Sequence, residues 1–416
     1  MRVLWFAHVP VPEMLLASGS DVSLAGAHWT GQLLQHVAGA PGVELGVASA
    51  FPGLRDLQFD RDGIRYYTIG QPKRYPAFGM READLDRCAA MVRDFRPDLL
   101  HFHGSERFFG LLKVRGMVKV PAVLSMQGLL GPYSTRRGFF GALSSLDILR
   151  SIRLVELPLR LGLAWQFHDI RRGARREARI LGAVEGLLGR TDWDRAWGRR
   201  LNPQAAYHHV GEILRPAFYA GRWRPGNCER HTVVYTNAGH PRRGTENLLA
   251  AIALLRGEFP RIRLRLAGVV SERSGYGRFL RRRIRDLRLE GHVDFLGQLD
   301  DQAMVEQLGW GHVFAITSYL ENSPNSLAEA MLIGMPCVAS FVGGIPSMVD
   351  HGRSGLLFPV DDVVLLAEQV RQVFRSDELA VSLGEEARRE AIDRHDPVRI
   401  RNQLLSAYQA MLGVTG

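Results

Sequence analysis

Short apolar segments that alternate with longer amphipathic ones constrain the fold of this 416-residue chain more than any other feature. Residues 43–50 and 97–104 are examples of the short apolar kind, whereas apolar residues recur at helical spacing in residues 81–95 and 244–259. Strands and helices that alternate at these lengths indicate a parallel sheet covered by helices on both faces. The sequence therefore predicts an α/β fold.

A stretch rich in Gly, Pro and Arg at residues 221–230 interrupts the alternation, which then restarts. The chain length also favours more than one domain. We expect two doubly wound, Rossmann-like domains, residues 1–220 and 230–395, with a final helix in 396–416 that packs back on the N-terminal domain. Ligands bind beyond the carboxyl ends of the strands in such sheets, so one site is expected in a central cleft between the two facing domains.

The chain carries 53 Lys and Arg residues against 43 Asp and Glu, a formal net charge of +10. This balance favours anionic partners, namely nucleic acid, an anionic membrane surface or a phosphate-bearing ligand, although an arginine-rich composition accounts for it equally well. The three cysteines lie far apart and match neither a disulfide framework nor a zinc-binding spacing. Their pattern predicts a reducing, cytoplasmic location.

Two further segments bear on membranes. The apolar residues 2–10 lack the charged region and cleavage site of a signal peptide, so we expect a buried strand, and no uncharged stretch approaches the ~18 residues of a transmembrane helix. Residues 135–182 mix basic and bulky apolar side chains. They are interpreted either as an amphipathic surface that contacts anionic lipid at the inner face of the membrane, or as core-packed helices with solvated arginine faces. Pro158 interrupts any single long helix there.

Two carboxylates, Glu321 and Glu329, flank a Ser-Pro-Asn turn that follows the predicted strand at residues 312–318. The turn therefore lies at the carboxyl end of a strand, where ligands bind in α/β sheets. Glu321 precedes the helix and Glu329 lies on its second turn, so the two can accept hydrogen bonds from hydroxyl groups on opposite sides of a bound anion. The alternative is structural, with one acid stabilising the helix dipole and the other paired with an arginine.

The start of this helix predicts an anion site between the two carboxylates. Ser323 suits the N-cap and Pro324 the first helical position, so the backbone N–H groups of Asn325 and Ser326 are expected to point out of the helix. A ligand with a central diphosphate and hydroxyl-rich rings at both ends satisfies this arrangement. A nucleotide sugar is such a ligand.

A basic turn follows another predicted strand, within residues 237–249. Arg242 and Arg243 stand beside Gly244, ahead of a helix capped by Thr245. Because a guanidinium group can bind two phosphate oxygens at once, the turn predicts a diphosphate site. The alternative is a solvent-exposed basic turn.

A third turn lies at Gly343 and Gly344, beyond a further predicted strand. Two glycines permit close approach of the backbone to a ligand. A plain tight turn is an equally good interpretation of this segment taken alone.

Together these segments resemble the retaining glycosyltransferases with the GT-B fold, family 4 (glycosyl transferase group 1). The resemblance is carried by an E-x7-E motif at Glu321 and Glu329, and it spans most of the chain. Further matching segments read GGIP, SGLLFPVDD, RRGTENLLAAIALL, VDFLGQL and PDLLHFHG. The segment GRTDWDRAW, followed by HHVGEILRPAFY, is similar to a subgroup linked to capsular and exopolysaccharide assembly.

The resemblance implies transfer of a sugar from a nucleotide-sugar donor, with UDP as the commonest nucleotide, to a glycan or lipid-linked acceptor with retention of configuration. It implies that Glu321 lies at the transferred sugar, that Glu329 holds the ribose, and that Arg243 replaces the family's phosphate-binding lysine. Gly26 is implied in a loop that approaches the diphosphate. The positions implied to bind the donor are Arg242, Arg243, Gly244, Ser323, Pro324, Asn325, Ser326, Glu329, Gly26, and Gln298 with Leu299 at the end of the strand that contacts the base.

The chain departs from the family pattern at two places. Where an arginine often precedes the lysine, this sequence has Asn237 and Ala238, and Arg242 is the candidate substitute. Where a histidine is usual, it has Gln127, which cannot act as a general base but can bind a sugar hydroxyl. The resemblance then implies that the leaving phosphate takes the acceptor's proton while the protein positions and stabilises. His103 is a candidate for acceptor contact, or else a structural histidine at a strand end.

No metal or cofactor is expected, because the Asp pairs 60/62 and 192/194 are interpreted as turn and cap residues. Three other functions are alternatives to sugar transfer. A GT-B-like nucleotide-sugar epimerase would need acid and base residues that converge on the sugar carbon. A non-catalytic scaffold would be expected to lose Glu321 or Glu329, and a nucleic-acid-binding protein to interleave aromatic with basic residues. No nucleic-acid partner is therefore expected.

Overall fold

The computed structural model of the protein describes residues 1–21, 29–72, 79–152 and 162–413. Gly26 and Pro158 lie outside these ranges. The chain forms two compact units. The first unit comprises Met1–Gly131, Asp169–Ile213 and His395–Gly416, and the second comprises Pro132–His168 and Leu214–Arg394.

The strands of each unit form one sheet within the described ranges. The first sheet has the order β3-β4-β2-β1-β5-β6-β7-β8, and all neighbours are parallel except the antiparallel pair β3 and β4. Its strands are β1 Arg2–Ala7, β2 Glu44–Pro52, β3 Leu57–Arg61, β4 Ile64–Gln71, β5 Leu99–His103, β6 Ala122–Ser125, β7 Gly186–Gly189 and β8 Ala206–His209.

The second sheet is parallel, with the order β11-β10-β9-β12-β13-β14. Its strands are β9 Thr232–Thr236, β10 Arg263–Ala267, β11 Val293–Gly297, β12 Val313–Ile316, β13 Cys337–Ser340 and β14 Leu356–Phe358. The predicted α/β class with two Rossmann-like halves is confirmed.

The described helices connect these strands and cover the sheets. They are α1 Pro12–Ser18, α2 Trp29–Val37, α3 Glu82–Phe95, α4 Leu111–Val114, α5 Leu130–Tyr133, α6 Arg136–Phe140, α7 Ser145–Arg150, α8 Gly162–Leu181, α9 Asp192–Leu201, α10 Pro216–Ala220, α11 Thr245–Leu255, α12 Gly275–Asp286, α13 Asp301–Trp310, α14 Asn325–Leu332, α15 Val363–Arg375, α16 Asp377–Arg394 and α17 Pro397–Leu412. In the described part of the chain, no helix combines the length and the apolar character that a membrane span requires.

The strand order creates a switch point in each sheet, where neighbouring strands connect in opposite directions. In the first sheet this point lies between β1 and β5, and in the second between β9 and β12. Loops that leave the carboxyl ends at a switch point diverge and open a crevice, which is where such sheets bind ligands. The switch points therefore locate the candidate site residues of each unit.

Apolar layers cover both faces of the first sheet because side chains alternate along each strand. On β1, Leu4 and Phe6 pack into one layer together with residues of α3 and β5. Val3 and Trp5 point to the opposite layer, which is completed by α2 and α17.

The unit boundaries differ from the predicted domains 1–220 and 230–395. The longer segment of the second unit begins at Leu214, and residues 221–230 lie inside it. The reason is that Trp223 anchors this stretch, since its backbone N–H donates to the Ile333 carbonyl at 2.7 Å and its indole N–H to the Gly311 carbonyl at 2.8 Å. Gly and Pro mark a turn here, not a domain boundary.

Residues 132–168, predicted as part of the N-terminal domain, also belong to the second unit. Phe139 of α6 packs edge-on against His240, with ring centroids 4.7 Å apart. Arg137 pairs with Asp361 at 3.0 Å. These contacts explain why the segment is assigned to the second unit although it precedes most of that unit in sequence.

The prediction missed several elements. Strand β3 joins β4 through a tight turn at Asp62 and Gly63, both with positive φ, which is the usual chemistry of a two-residue hairpin. The strand itself reads LQFDR and shows no apolar run. Strand β8 and helices α1 and α16 were also absent from the predicted elements.

Helix α17 belongs to the first unit and contacts its sheet through a buried polar chain. The Tyr408 hydroxyl lies 2.6 Å from His101 Nδ1, and Ser125 Oγ lies 2.7 Å from His101 Nε2. Burial lowers the pKa of His101 to about 3, so the imidazole is neutral and has one donor and one acceptor nitrogen. Both imidazole nitrogens therefore take part in the buried chain of hydrogen bonds.

We expect Tyr408→Phe to lower the free energy of unfolding of the first unit by about 1–3 kcal/mol, because it leaves a buried imidazole nitrogen without its partner. Urea unfolding followed by fluorescence measures the change. The matched control is Tyr66→Phe, since Tyr66 is as buried but its hydroxyl bonds to no other residue of the described ranges. Equal losses in the two variants would contradict the importance of the polar chain.

Candidate functional site

The switch point of the second sheet brings the basic turn against the end of β12. The Tyr319 N–H donates to the Arg242 carbonyl at 2.8 Å, and the Thr317 hydroxyl lies 2.9 Å from the carbonyl oxygens of both Arg243 and Gly244. Gly244 has φ +67°, and a Cβ there would overlap the Thr317 carbonyl oxygen. Only glycine allows the turn to lie this close to the neighbouring strand.

Arg243 and Glu321 form an ion pair across this switch point. Their side chains are only 17% and 10% exposed. Burial lowers the pKa of Arg243, but the charge of Glu321, together with Tyr235 and Tyr133, outweighs burial and the net pKa is raised. The predicted sugar-binding carboxylate and the predicted phosphate-binding cation are therefore in direct contact, and each neutralises the other.

The turn at Gly343 and Gly344 holds the backbone of Glu321 in place. The Gly344 N–H donates to the Glu321 carbonyl at 3.0 Å. Gly343 has φ +53°, and a Cβ there would overlap the same carbonyl oxygen. The sequence predicted a close approach of this turn to a ligand, whereas the close approach in the structure is to the backbone of the candidate sugar-binding residue.

Arg242 lies on the other side of the basic turn and stacks on an aromatic ring. Its guanidinium carbon is 4.9 Å from the centroid of the Tyr133 ring, which α5 contributes to the second unit. Burial, followed by the charge of Arg243, lowers the pKa of Arg242. Its Nε is buried and has no hydrogen-bond partner among the described residues. Two poorly hydrated guanidinium groups thus stand side by side, which favours an anion between them.

Glu329 is buried on α14 and bound by an arginine that the sequence did not single out. Arg215 donates from Nε to one Glu329 oxygen and from Nη2 to the other, both at 2.6 Å, and its Nη1 lies 2.6 Å from Asp301 at the start of α13. Arg215 also lies over the Phe218 ring at 4.4 Å. The bidentate pair fixes the plane of the Glu329 carboxylate.

Helix α14 starts one residue later than predicted. Pro324 occupies the N-cap and Asn325 the first helical position, and the backbone N–H groups of Leu327 and Ala328 both donate to the Pro324 carbonyl. Ser323 is therefore not the cap. Asn325 and Ser326 lie in the first turn, whose N–H groups have no partner within the helix. Gln298 and Leu299 follow β11, two strands away from β9 at the edge of the sheet.

The first unit brings three polar residues together at its switch point. His8, directly after β1, has Nδ1 3.0 Å from the carbonyl oxygen of His103 and 3.4 Å from Nε2 of Gln127. The His103 carbonyl can only accept and the Gln127 amide nitrogen can only donate, so the tautomer of His8 decides which of the two contacts is a hydrogen bond. The ring of His103 is fully buried between Trp5 and Trp29, with centroids 4.4 and 5.3 Å away. His103 thus acts on its neighbours through its backbone.

Two buried carboxyl groups lie close to these residues. Glu106 accepts from the Gly128 N–H at 3.3 Å, and a Cβ on Gly104 would overlap its other oxygen. Glu177 lies 2.6 Å from the Ser105 hydroxyl. Burial raises the pKa of both acids, to about 8 for Glu177, where the nearby Glu106 adds to the effect.

Sequence reasoning missed His8, Arg215, Glu106 and Glu177. A signal existed for His8, because it directly follows a buried strand as His103 does. Arg215 and Glu177 gave no such signal, since their partners lie more than 70 residues away in sequence. Within the described ranges, no group of three or more His, Cys, Asp and Glu side chains has an arrangement that could hold a metal ion.

Comparison with known sequences finds a family match within the second unit. Residues 225–390 match the sequence profile of the family described as glycosyl transferases group 1. A stretch of 129 residues is 33% identical to the N-acetyl-alpha-D-glucosaminyl L-malate synthase of Bacillus anthracis, over 31% of this chain and 33% of that relative. The chain spans between 33% and 51% of the lengths of three curated relatives that it matches. Residues 225–390 are therefore similar in sequence to the group 1 glycosyl transferases.

Solved structures show the same fold over the whole chain. The sucrose-phosphate synthase of Thermosynechococcus elongatus superposes with a TM-score of 0.74 and 19% identity, over 100% of both chains. The HepE protein of Anabaena, solved in complex with UDP-glucose, gives a TM-score of 0.67 and 16% identity over 99% of this chain and 100% of that one. The predicted GT-B fold class is confirmed at this level.

We expect Gly343→Ala to displace the loop that carries Glu321, because the added methyl group overlaps the Glu321 carbonyl. Gly352→Ala is the matched control, since Gly352 also has a positive φ but no atom lies within 4 Å of the added carbon. Both changes cost about 1–2 kcal/mol of backbone strain. Only Gly343→Ala is expected to speed hydrogen–deuterium exchange in a peptide covering residues 317–324. Equal exchange in the two variants would show that the overlap is relieved elsewhere.

The raised pKa of Glu177 predicts a pH-dependent stability. Between its ordinary value of 4.5 and about 8, the folded chain holds a proton that the unfolded chain releases, so stability falls as pH rises through this window. Glu177→Gln, which stays neutral, should remove that fall, on the order of a few kcal/mol. Melting temperatures from pH 5 to pH 8 measure it, with Glu44→Gln as an exposed control in the same unit. Parallel profiles for wild type and Glu177→Gln would refute the assignment.

Proposed function

We propose that the protein is a retaining glycosyltransferase of family 4 that moves a sugar from a nucleotide-sugar donor to a hydroxyl group of an acceptor. The observation that carries the proposal is the ion pair of Arg243 and Glu321 at the switch point of the second sheet. A cation for phosphate and a carboxylate for sugar hydroxyls meet where a Rossmann-like sheet binds its ligand. Several sequence relatives are named as glycosyltransferases, which is the same class of enzyme.

The donor diphosphate would take over the guanidinium of Arg243. Phosphate oxygens are good bidentate partners for arginine, so the diphosphate competes with Glu321 and releases its carboxylate to accept hydrogen bonds from the transferred sugar. Arg242 on the Tyr133 ring would supply the second cation that the family usually places upstream. Backbone N–H groups of Asn325 and Ser326 would complete the anion site.

The nucleoside would lie between α14 and the end of β11. Glu329 would accept from the two ribose hydroxyls, and Arg215 would hold its carboxylate in the required plane. The base would contact the backbone at Gln298 and Leu299. UDP is the nucleotide we propose first. The chain's own arginines and N–H groups would carry the diphosphate charge in this arrangement.

The chemical step follows from these roles. The bond between the anomeric carbon and the phosphate oxygen breaks, the acceptor oxygen attacks from the same face, and its proton passes to the leaving phosphate. No protein base is required, which is consistent with Gln127 in place of a histidine. The protein lowers the barrier by positioning both substrates and by stabilising charge on the phosphate.

The acceptor would be a glycan or a lipid-linked saccharide in polysaccharide assembly on the cytoplasmic side. Gln127 and His8 would bind its hydroxyl groups in the first unit. His103, whose ring is enclosed by Trp5 and Trp29, would position His8 through its carbonyl oxygen. This role differs from the direct acceptor contact expected from the sequence.

The first test is a thermal-shift series with UDP, GDP, ADP and CMP. A nucleotide that binds only the folded state stabilises it by about 2.7 kcal/mol at one hundred times its dissociation constant. We expect one nucleotide to raise the melting temperature of the wild type, and Glu329→Ala to abolish that rise. Glu306→Ala, an exposed glutamate on α13 of the same unit, is the matched control and should keep it.

The quantity compared between the variants is the rise in melting temperature on adding nucleotide, not the melting temperature itself. Glu329→Ala is expected to change the latter as well, because it leaves Arg215 without its bidentate partner. No shift with any nucleotide at millimolar concentration would overturn the donor site. NMR of the product then tests the stereochemistry separately, since an inverted anomeric configuration would refute retention but leave the donor site intact.

A further inference from the structure

Helix α7 of the second unit carries two leucines that the fold leaves exposed. None of its six residues is buried. Leu146 is 54% exposed and Leu149 is 67% exposed. A spacing of three residues places them on the same side of the helix. A short helix without buried residues that presents two leucines to solvent is a candidate contact surface.

Helix α12 of the same unit presents a stripe of arginines. Its opposite face is buried through Tyr276, Leu280 and Ile284. Arg278, Arg282 and Arg285 recur at intervals of four and three residues, which aligns them along the exposed side. None of the three forms an ion pair within the described ranges, in contrast to Arg281, which pairs with Glu272.

The end of α7, with its exposed leucines, and the start of α12, with its arginine stripe, are adjacent. The Cβ direction of Gly275, the first residue of α12, points at the backbone of Ser151, which directly follows α7. Arg282 lies seven residues further on, nearly two full turns, and so leaves the helix in almost the same direction as that Cβ. The arginine stripe therefore starts beside the end of α7, where Arg150 is also exposed.

We infer that these residues form a docking surface for an anionic phospholipid bilayer. The α7–α12 surface consists of Leu146, Leu149, Arg150, Arg278, Arg282 and Arg285. The leucines would enter the boundary between headgroups and acyl chains, and the guanidinium groups would bind lipid phosphates. This inference goes beyond the transfer reaction and does not depend on it.

The observations favour a bilayer over a macromolecular partner. A stable protein interface buries at least about 1,200 Å², more than two leucines and a charged stripe supply. Single-stranded nucleic acid would be met by aromatic side chains on which bases stack, and leucine offers no such contact. Reversible adsorption to a bilayer needs only a few apolar side chains beside basic ones.

Helix α8 also falls in the segment that the sequence associated with lipid, and it shares no residue with this surface. Helix α8 exposes no large apolar side chain but does expose Arg172, Arg175 and Arg179. These follow the same kind of spacing as the α12 stripe. These three arginines therefore serve as a control for the α12 stripe, because they carry the same charge but have no exposed leucine on their helix.

Sedimentation of the full chain with large unilamellar vesicles tests the inference. We expect binding to phosphatidylcholine vesicles that contain phosphatidylglycerol, and none to phosphatidylcholine alone. Arg278, Arg282 and Arg285, changed together to Gln, should weaken partitioning about fivefold per arginine. The control changes Arg172, Arg175 and Arg179 to Gln, with the same loss of charge and little expected effect.

A second pair of variants isolates the apolar contribution. Leu146→Ser with Leu149→Ser should reduce binding at least about tenfold. Leu254→Ser with Val364→Ser, two comparably exposed residues of the same unit, should leave it unchanged. Equal losses in test and control variants, or equal binding to neutral vesicles, would overturn the inference. So would a dimer in solution that depends on Leu146 and Leu149, because a second copy would then be the occupant.

Discussion

The buried ion pair between Arg243 and Glu321 is the interaction on which the candidate site depends. Taking two charges out of water costs several kcal/mol per ion, and apolar side chains often pack in such a place at lower cost. A pair of this kind at the carboxyl edge of a sheet is best explained when its charges have another partner to meet. In the proposed function a diphosphate would be such a partner, because it would take the guanidinium and leave the carboxylate to sugar hydroxyls.

The backbone around this pair is fixed from both sides. Gly244 and Gly343 each lie where a side chain would overlap a carbonyl oxygen of the neighbouring loop, and Thr317 ties the basic turn to the end of β12. An exchange of partners at Arg243 can therefore proceed through side-chain motion alone. Donors that keep their positions when the ligand arrives stabilise charge without a reorganisation cost, which is what transfer from a charged leaving group requires.

The sequence predicted the central strands of both sheets and the edge strands β11 and β14 of the second, but it missed the edge strands β3 and β8 of the first. Central parallel strands read as continuous apolar runs, whereas β3 and β8 are edge strands, half solvated and polar, and no pattern marks them. The candidate site residues likewise divide into those that a local sequence pattern predicted and those that it missed. Glu321 and Glu329 stand in a local motif at a strand end, but Arg215 is brought to Glu329 across 114 residues by the path of the chain. Residues 221–230 resemble a linker in sequence, but the hydrogen bonds of Trp223 hold them in the second unit.

Residues 132–152 contact the basic turn at one end and carry α7 of the α7–α12 surface at the other, all inside the second unit. Tyr133 lies under Arg242 at one end of the segment, and Leu149 stands exposed near the other. In the middle of the segment, Gly141 packs so closely against the Tyr319 ring that any side chain there would overlap the ring. The segment contributes no strand, so these contacts set its position. In the proposed function, a bilayer bound at α7 would hold the basic turn at a defined height above the lipid, which would suit an acceptor saccharide that remains attached to its lipid.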